Sequence, residues 1–479
     1  MKRSLSLMVL MLLLITVRPP VAAGTSFTRD IAPILLRKCT GCHGERSNLG
    51  GYRAHSFDAL MKAGASGLPT IVPGKPESSR LYQLITSKAE SLRMPKSDNV
   101  LAPEQIERIR RWIGEGARFD GTDRSASLKT LLGPRVHPAA PANYRVPAPV
   151  LALAFLPGGE QIAIGGYNEV VIWNTLTGTP VRHIGNMPQR IQAISLSRDG
   201  KSMLVAGGTP GEYGEVSQVG LERGSRPRVL DTWPDACLAA VYSPDGSRIA
   251  AGGADNTIRV YDAATGKRLW TSGVHSDWVT SVSFSGDGRF VASASRDMTV
   301  KVNEAATGEL FTTYSGHNRQ IGQYAEHAPV YAVRTGPDGS TFLSAGAGKW
   351  MQKWDPVKAK AESGDAGDME ERFSKQSHAA HIAHGFSHEV LALCIRSGQM
   401  FAASADGIVK QFDLASLSEI RGYKADPEWL FALDDDPSSG RVAAGSYSGQ
   451  VHVWDTTTGK LIVEFLNQPG ALRVSRAAR

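Results

Sequence analysis

Leu238–Trp270 reads LAAVYSPDGSRIAAGGADNTIRVYDAATGKRLW, and Val279–Phe311 reads VTSVSFSGDGRFVASASRDMTVKVNEAATGELF. The two segments carry the same grammar. A first run alternates apolar and polar residues, as a half-buried strand does, and turns at Asp-Gly, a hairpin signal. A second run is small and apolar, AAGG or ASAS. A third ends in an aromatic-acid pair or a variant of one, and a fourth closes the unit. Aligned on the turn glycine, the pattern recurs around Gly159, Gly200, Gly339, Gly398 and Gly440, which makes seven units, most about 40 residues apart. One such sheet cannot bury both faces alone. Stacked radially, each sheet covers its neighbour and leaves only short edges.

The third strands end at Trp173-Asn174, Tyr261-Asp262, Asn303-Glu304, Trp354-Asp355, Phe412-Asp413 and Trp454-Asp455. The period and these ends resemble WD40 repeats across roughly 148–470. The resemblance implies an all-β seven-bladed propeller. It also implies a structural role for Asp255, Asp297 and Asp406 at the bend before the third strand. The second unit departs from the pattern, with VSQVGLERG where the Trp-Asp end belongs, and Gly-His survives only at Gly316-His317. The last unit supplies its own fourth strand, so the sequence leaves ring closure open. Cys237 and Cys394 fall in apolar runs and read as buried small hydrophobes. Trp173, Trp354 and Trp454 read as core.

Residues 25–120 have a different, helical character, and 122–147 are rich in Pro, Ala and Ser with little periodicity, which reads as a linker. The N-terminus begins Met1-Lys2-Arg3, is apolar from Leu5 to Val17, and reaches the small residues Val21-Ala22-Ala23. That order predicts a secretory signal peptide cut near Ala23. An uncleaved anchor is the competing reading, but the run is shorter than the roughly 20 residues that cross a bilayer. Loss of Lys2, Arg3 and Arg18 takes the formal charge from +7 to +4. No basic block points to nucleic acid.

Within the helical part stands Cys39-Thr40-Gly41-Cys42-His43. A zinc ribbon needs a second ligand pair, and Cys237 and Cys394 lie in separate units. A redox dithiol expects a strand–helix setting that is missing around Cys39. Covalent haem attachment fits residue type and order: two thiols on one turn add to porphyrin vinyl groups, and His43 takes the iron. Phe27, Ile31 and Leu35 predict one helix face before the motif. Ile106, Ile109, Trp112 and Ile113 predict another after it, with Pro103 at its start and Gly114 and Gly116 past its end. Met94, in an irregular loop before Pro95, is the expected distal ligand, which suits electron transfer over oxygen chemistry. His55 or an open site is the alternative, and Met61 reads as packing.

The segments DIAPILLRKCTGCHG, LPTIVPGKPESSRLYQLI, RMP and IRRWIGEGARFDG resemble bacterial planctomycete-type c-type cytochrome domains. That resemblance covers about a fifth of the chain. It implies an all-α, class I-like cytochrome c domain with one covalent haem c on Cys39, Cys42 and His43 and with Met94 as distal ligand. The expected organisation is a signal peptide at 1–23, the cytochrome domain at 25–121, a linker at 122–147, the propeller at 148–470 and a tail at 471–479. The expected function is an exported, periplasmic electron carrier whose propeller docks a periplasmic or membrane redox protein. The rival is an oxidoreductase whose propeller channel binds a small substrate and whose haem is the electron exit. His378, His381, His384 and His388 are spaced for one helix face, as a zinc or copper site needs, or for a polar loop between units. No nucleophile elbow, Walker loop or dinucleotide fingerprint is present.

Overall fold

A computed structural model of the chain describes residues 24–44, 49–96, 100–132, 136–317, 319–321, 324–326, 328–348, 350–365, 379–383 and 385–469. It divides into two compact units, Met1–Arg135 and Val136–Arg479. The expected signal peptide and C-terminal tail lie outside the described residues. No helix among the described residues is long and apolar enough to cross a membrane.

The first unit is small and helical. A π-helical turn, Phe27–Ile31, runs into α1 (Ala32–Lys38); α2 (Phe57–Leu60), α3 (Arg80–Ile85), α4 (Pro103–Gly114) and α5 (Leu128–Leu132) follow. Ser26 caps the start, its Oγ accepting from the Arg29 N–H at 3.0 Å. Phe27, Ile31 and Leu35 form one fully buried stripe, as their spacing predicts. Phe27 meets Phe57 edge-on at 4.8 Å and Trp112 at 5.4 Å. From α4 come the buried Ile109, Trp112 and Ile113, with Ile106 at the rim. Ala102 has no side chain to cap α4, but the Gln105 carboxamide accepts the Ala102 N–H at 2.9 Å. Gly114 ends the helix from inside rather than beyond it, and Gly116 takes the φ of 98° that turns the chain away.

The segment 122–147 is not a free linker. Ser127 pairs with Ser56, and Leu128 is fully buried in the first unit's core. In the second unit, the Tyr144 hydroxyl donates to Glu169 Oε1 at 2.5 Å, and His137 Nε2 lies 3.1 Å from Glu215 Oε2. The stretch is poor in apolar periodicity, yet Leu128 and Tyr144 are each buried, while Val136 and Val146 stay exposed.

The second unit is a seven-bladed propeller: seven antiparallel four-stranded sheets, each meandering in chain order. The first strand of each blade is innermost. These are Leu153–Phe155, Arg190–Leu196, Cys237–Tyr242, Val279–Phe284, Val330–Thr335, Val390–Arg396 and Leu430–Asp436. A small hairpin, Arg319–Ile321 with Tyr324–Glu326, stands apart from the blades. Neighbouring blades share cores. Between the fourth and fifth, Tyr314 stacks on Trp354 at 4.6 Å, over Phe342, Val330 and Val302. The Asp-Gly turns are held by their own acid: Asp245 accepts from Ser243 Oγ at 2.5 Å and the Ser247 N–H at 3.0 Å, while Gly246 takes a φ of 76°.

Ring closure, left open by the sequence, uses no exchanged strand. The last blade keeps its own fourth strand, Leu461–Leu466. The ends are tied at either side of it. Val150 N–H donates to Ser446 O at 2.9 Å, and Ala148 N–H to Asn467 O at 3.0 Å. The Asn467 carboxamide donates to Gly165 O at 2.8 Å, and the Phe155 N–H to Asp434 at 2.9 Å. Val150, Ile164 and Trp173 share one apolar cluster with Ala443, Val451 and Val453 of the last blade.

Candidate functional site

α1 carries the motif at its C-terminal end. The Cys39 N–H donates to Leu35 O at 2.9 Å and the His43 N–H to Cys39 O at 2.9 Å, so Cys39, Cys42 and His43 share one continued turn. Beyond it, Leu49 N–H reaches Cys42 O at 3.2 Å and Ala54 N–H reaches His43 O at 2.7 Å, which folds the following chain back over the motif. Neither cysteine is in a disulfide. Cys42 is exposed, whereas Cys39 packs against the core and its thiol is pushed up to about 12, by burial first and by Cys42 second.

The His43 ring lies 5.3 Å from the Tyr52 ring, and its Nδ1 is buried without a hydrogen-bond partner. An unpaired buried ring nitrogen is costly. The Tyr52 hydroxyl donates to Leu60 O at 3.3 Å, and burial raises its pKa, with Cys39 adding to the effect. Tyr52 also borders a cavity of about 620 Å³ lined by Arg53, His55, Asp58, Lys62 and Ser125. His55 Nδ1 is the second buried ring nitrogen without a partner in this unit. The backbone holds that residue in place, Leu128 N–H donating to His55 O at 2.7 Å.

Met94 stands on a separate loop, tied by its N–H to Leu84 O at 3.0 Å. Its half-buried side chain is not among those packed on the apolar core, whereas Met61 is. The structure thus brings Cys39, Cys42 and His43 together and leaves Met94 apart in the chain, with His55 facing the cavity. Among the described residues the motif is not part of a cluster of three metal-ligating side chains.

In the propeller, Asp297 joins His275 Nδ1 at 2.8 Å to the Ser276 and Thr299 N–H groups, both at 3.1 Å. Asp406 holds Ser387, and Asp255 holds Thr257 and Arg259. All three serve turns, in keeping with the structural role. Trp173, Trp354 and Trp454 are core. Cys237 is fully buried, with only backbone carbonyls near its sulfur, and makes no bridge to Cys394. Cys394 corrects the reading as a plain hydrophobe: its Sγ lies 2.7 Å from Asp435 and 3.5 Å from Asp434. Strand alternation did not mark this, because the acids belong to the next blade. The proposed histidine helix does not form. His381 sits in the strand Ala379–Ala383 opposite Gln352, and exposed His388 lies beside Ser387. His378 and His384 lie outside the described residues.

Residues 39–98 match the family described as Planctomycete cytochrome C, and residues 228–262, 266–302 and 417–455 match the WD domain, G-beta repeat. The chain is 24% identical over 360 residues to "WD repeat-containing protein 1" of Xenopus tropicalis, covering 65% of this chain and 49% of that protein. Over 55 residues it is 44% identical to "Probable serine/threonine-protein kinase PkwA" of Thermomonospora curvata, covering 12% of this chain and 7% of that one. The chain spans half or less of either relative's length. It joins a helical segment matching the planctomycete cytochrome C family to a seven-bladed propeller that carries WD40 repeats.

Proposed function

We propose that the chain is an exported mono-haem c-type cytochrome that carries single electrons and presents its propeller as a docking platform for a redox protein. The observation that carries this reading is the turn bearing Cys39, Cys42 and His43, with a buried, unpartnered imidazole nitrogen beside Tyr52 and an open cavity. The donor set fits haem c. Cys39 and Cys42 would hold the group through two thioethers, each formed by addition of an S–H across a vinyl group, and His43 would ligate its iron. When bound, the group supplies a one-electron iron couple. The matched family segment spans Met94 as well, which supports it as the distal ligand. The small helical unit is in keeping with a class I-like cytochrome, and Lys2, Arg3 and the apolar run Leu5–Val17 support export to the periplasm. WD40 propellers generally serve protein docking, which supports a periplasmic or membrane redox partner.

The test is production of the full chain with its own leader in a bacterium that matures c-type cytochromes. The mature protein should start near Gly24, give a positive pyridine haemochrome assay, and yield a peptide spanning residues 39–43 with added porphyrin mass. A soluble periplasmic protein without that mass overturns the reading.

A second reading makes the protein an oxidoreductase whose channel takes a small substrate. Its motive is the polar channel of about 380 Å³ enclosed by the inner strands. Reduction of the haem by a small-molecule panel, in the absence of any partner protein, favours this reading. An unresponsive haem favours the docking role.

A further inference from the structure

The charged side chains lining the channel are Arg334, Arg396 and Asp434. Two other arginines of the propeller, buried Arg259 and the more exposed Arg396, reach carboxylates. Arg259 reaches Asp231 at 3.2 Å and Asp255 at 2.7 Å. Arg396 reaches Asp434 at 2.9 Å, with Asp435 at 3.9 Å. Arg334 is different. Its Nη1 donates to Ser281 Oγ at 3.0 Å and to Val333 O at 2.8 Å. The first bond joins the inner strands of the fourth and fifth blades, the second returns to the strand's own backbone, and together they hold the guanidinium. Among the described residues, no carboxylate pairs with it and its Nε and Nη2 make no hydrogen bond. Those two nitrogens form the side-on edge of the guanidinium, the pair of parallel donors that matches a carboxylate. Burial lowers the Arg334 pKa, with Cys394 and the Asp434 carboxylate opposing it without prevailing.

We propose that the propeller channel binds a small monocarboxylate, received side-on by the free Nε–Nη2 edge of Arg334. The walls supply the rest of the specificity. Leu151, Leu238 and Leu391 line the channel and suit a short apolar body. The Asp434 carboxylate, also in the channel lining, opposes a second negative charge on the ligand. A volume of about 380 Å³ admits a molecule of a few carbons. The site deepens the second functional reading by naming its ligand class, and it requires no iron, so failure of the haem assignment leaves it untouched.

The experiment is calorimetric titration of the full-length protein with acetate, propanoate and butanoate, against succinate, phosphate and chloride. Saturable one-to-one binding of at least one monocarboxylate is expected, at least tenfold tighter than succinate or phosphate. Arg334→Met should lose at least tenfold in affinity, and Arg334→Lys, which keeps the charge but not the fork, should lose most of it. No binding by any monocarboxylate, equal affinity in Arg334→Met, or phosphate binding as tightly each overturns the proposal. Where a variant does not fold, butanedione modification of the wild-type protein decides. The bound monocarboxylate should slow labelling of the Arg334 peptide severalfold, and unchanged labelling overturns the site.

Discussion

Asp435 offers a sharp test of the channel electrostatics. Its side chain is only 4% exposed. Burial is the largest influence and raises its pKa from the ordinary 3.8 to about 6; the Cys394 contact and Arg396 pull the other way without prevailing. The folded state therefore holds this proton more tightly than the unfolded chain. Between pH 3.8 and about 6, unfolding releases it, so stability falls as pH rises through that window and levels off above it. A shift of this size corresponds to about 3 kcal/mol at most, and sharing of charge with Asp434 reduces it to about 1–3 kcal/mol. Asp435→Asn keeps the shape and removes the charge. Urea denaturation of the full chain from pH 4.5 to 8 should show the variant more stable than wild type by about 1–3 kcal/mol at pH 8. The advantage should shrink steadily below pH 6. A variant that is less stable at pH 8, or a difference that ignores pH, refutes the idea that this carboxylate is held against its charge.

Trp354→Ala removes a fully buried ring, its stack on Tyr314 and its Nε1 bond to Ser344 Oγ at 3.1 Å. It should cost about 3–5 kcal/mol in denaturant titration, against about 1 kcal/mol for loss of the hydrogen bond in Trp354→Phe. Asn467→Ala removes the carboxamide that ties the end of the ring to Gly165 O, and should lower stability by about 1–2 kcal/mol without changing the secondary structure seen by circular dichroism. In haem-loaded protein, Met94→Ala should abolish the weak near-infrared band of sulfur–iron ligation while His55→Ala leaves it in place. A wild-type haem protein that lacks this band, with a spectrum altered by His55→Ala and not by Met94→Ala, hands the distal position to His55, whose Nδ1 is already buried without a partner.

What the sequence shows depends on how local the cause is. Phe27, Ile31 and Leu35 announce a helix stripe because their spacing is set within one segment. Seven recurrences of a turn glycine between short strands, most of them followed by an aromatic-acid end or a variant of it, announce a propeller because each blade is built from consecutive residues. Haem chemistry is legible for the same reason: Cys39, Cys42 and His43 share one turn. The distal ligand is less so. Met94 and His55 are separated from the motif by loops whose course no periodicity fixes.

The channel was illegible for a further reason. Alternation along the inner strand Val390–Arg396 assigns Cys394 to a buried face and stops there. The acids that meet it, Asp434 and Asp435, come from the inner strand of the next blade, in a run, LFALDDD, that looks like the ragged polar end of a strand. Likewise Ser281 and Arg334 lie in different blades and meet only because the ring stacks them. In a radial fold, every axial site is written across blades, one or two residues from each. Turn signals and strand periods specify the blades one at a time, so they predict the walls of the channel but not its charge. It follows that two propellers with the same repeat grammar can have chemically unrelated channels. The unpaired edge of Arg334 is therefore a property of this chain and not of its repeats.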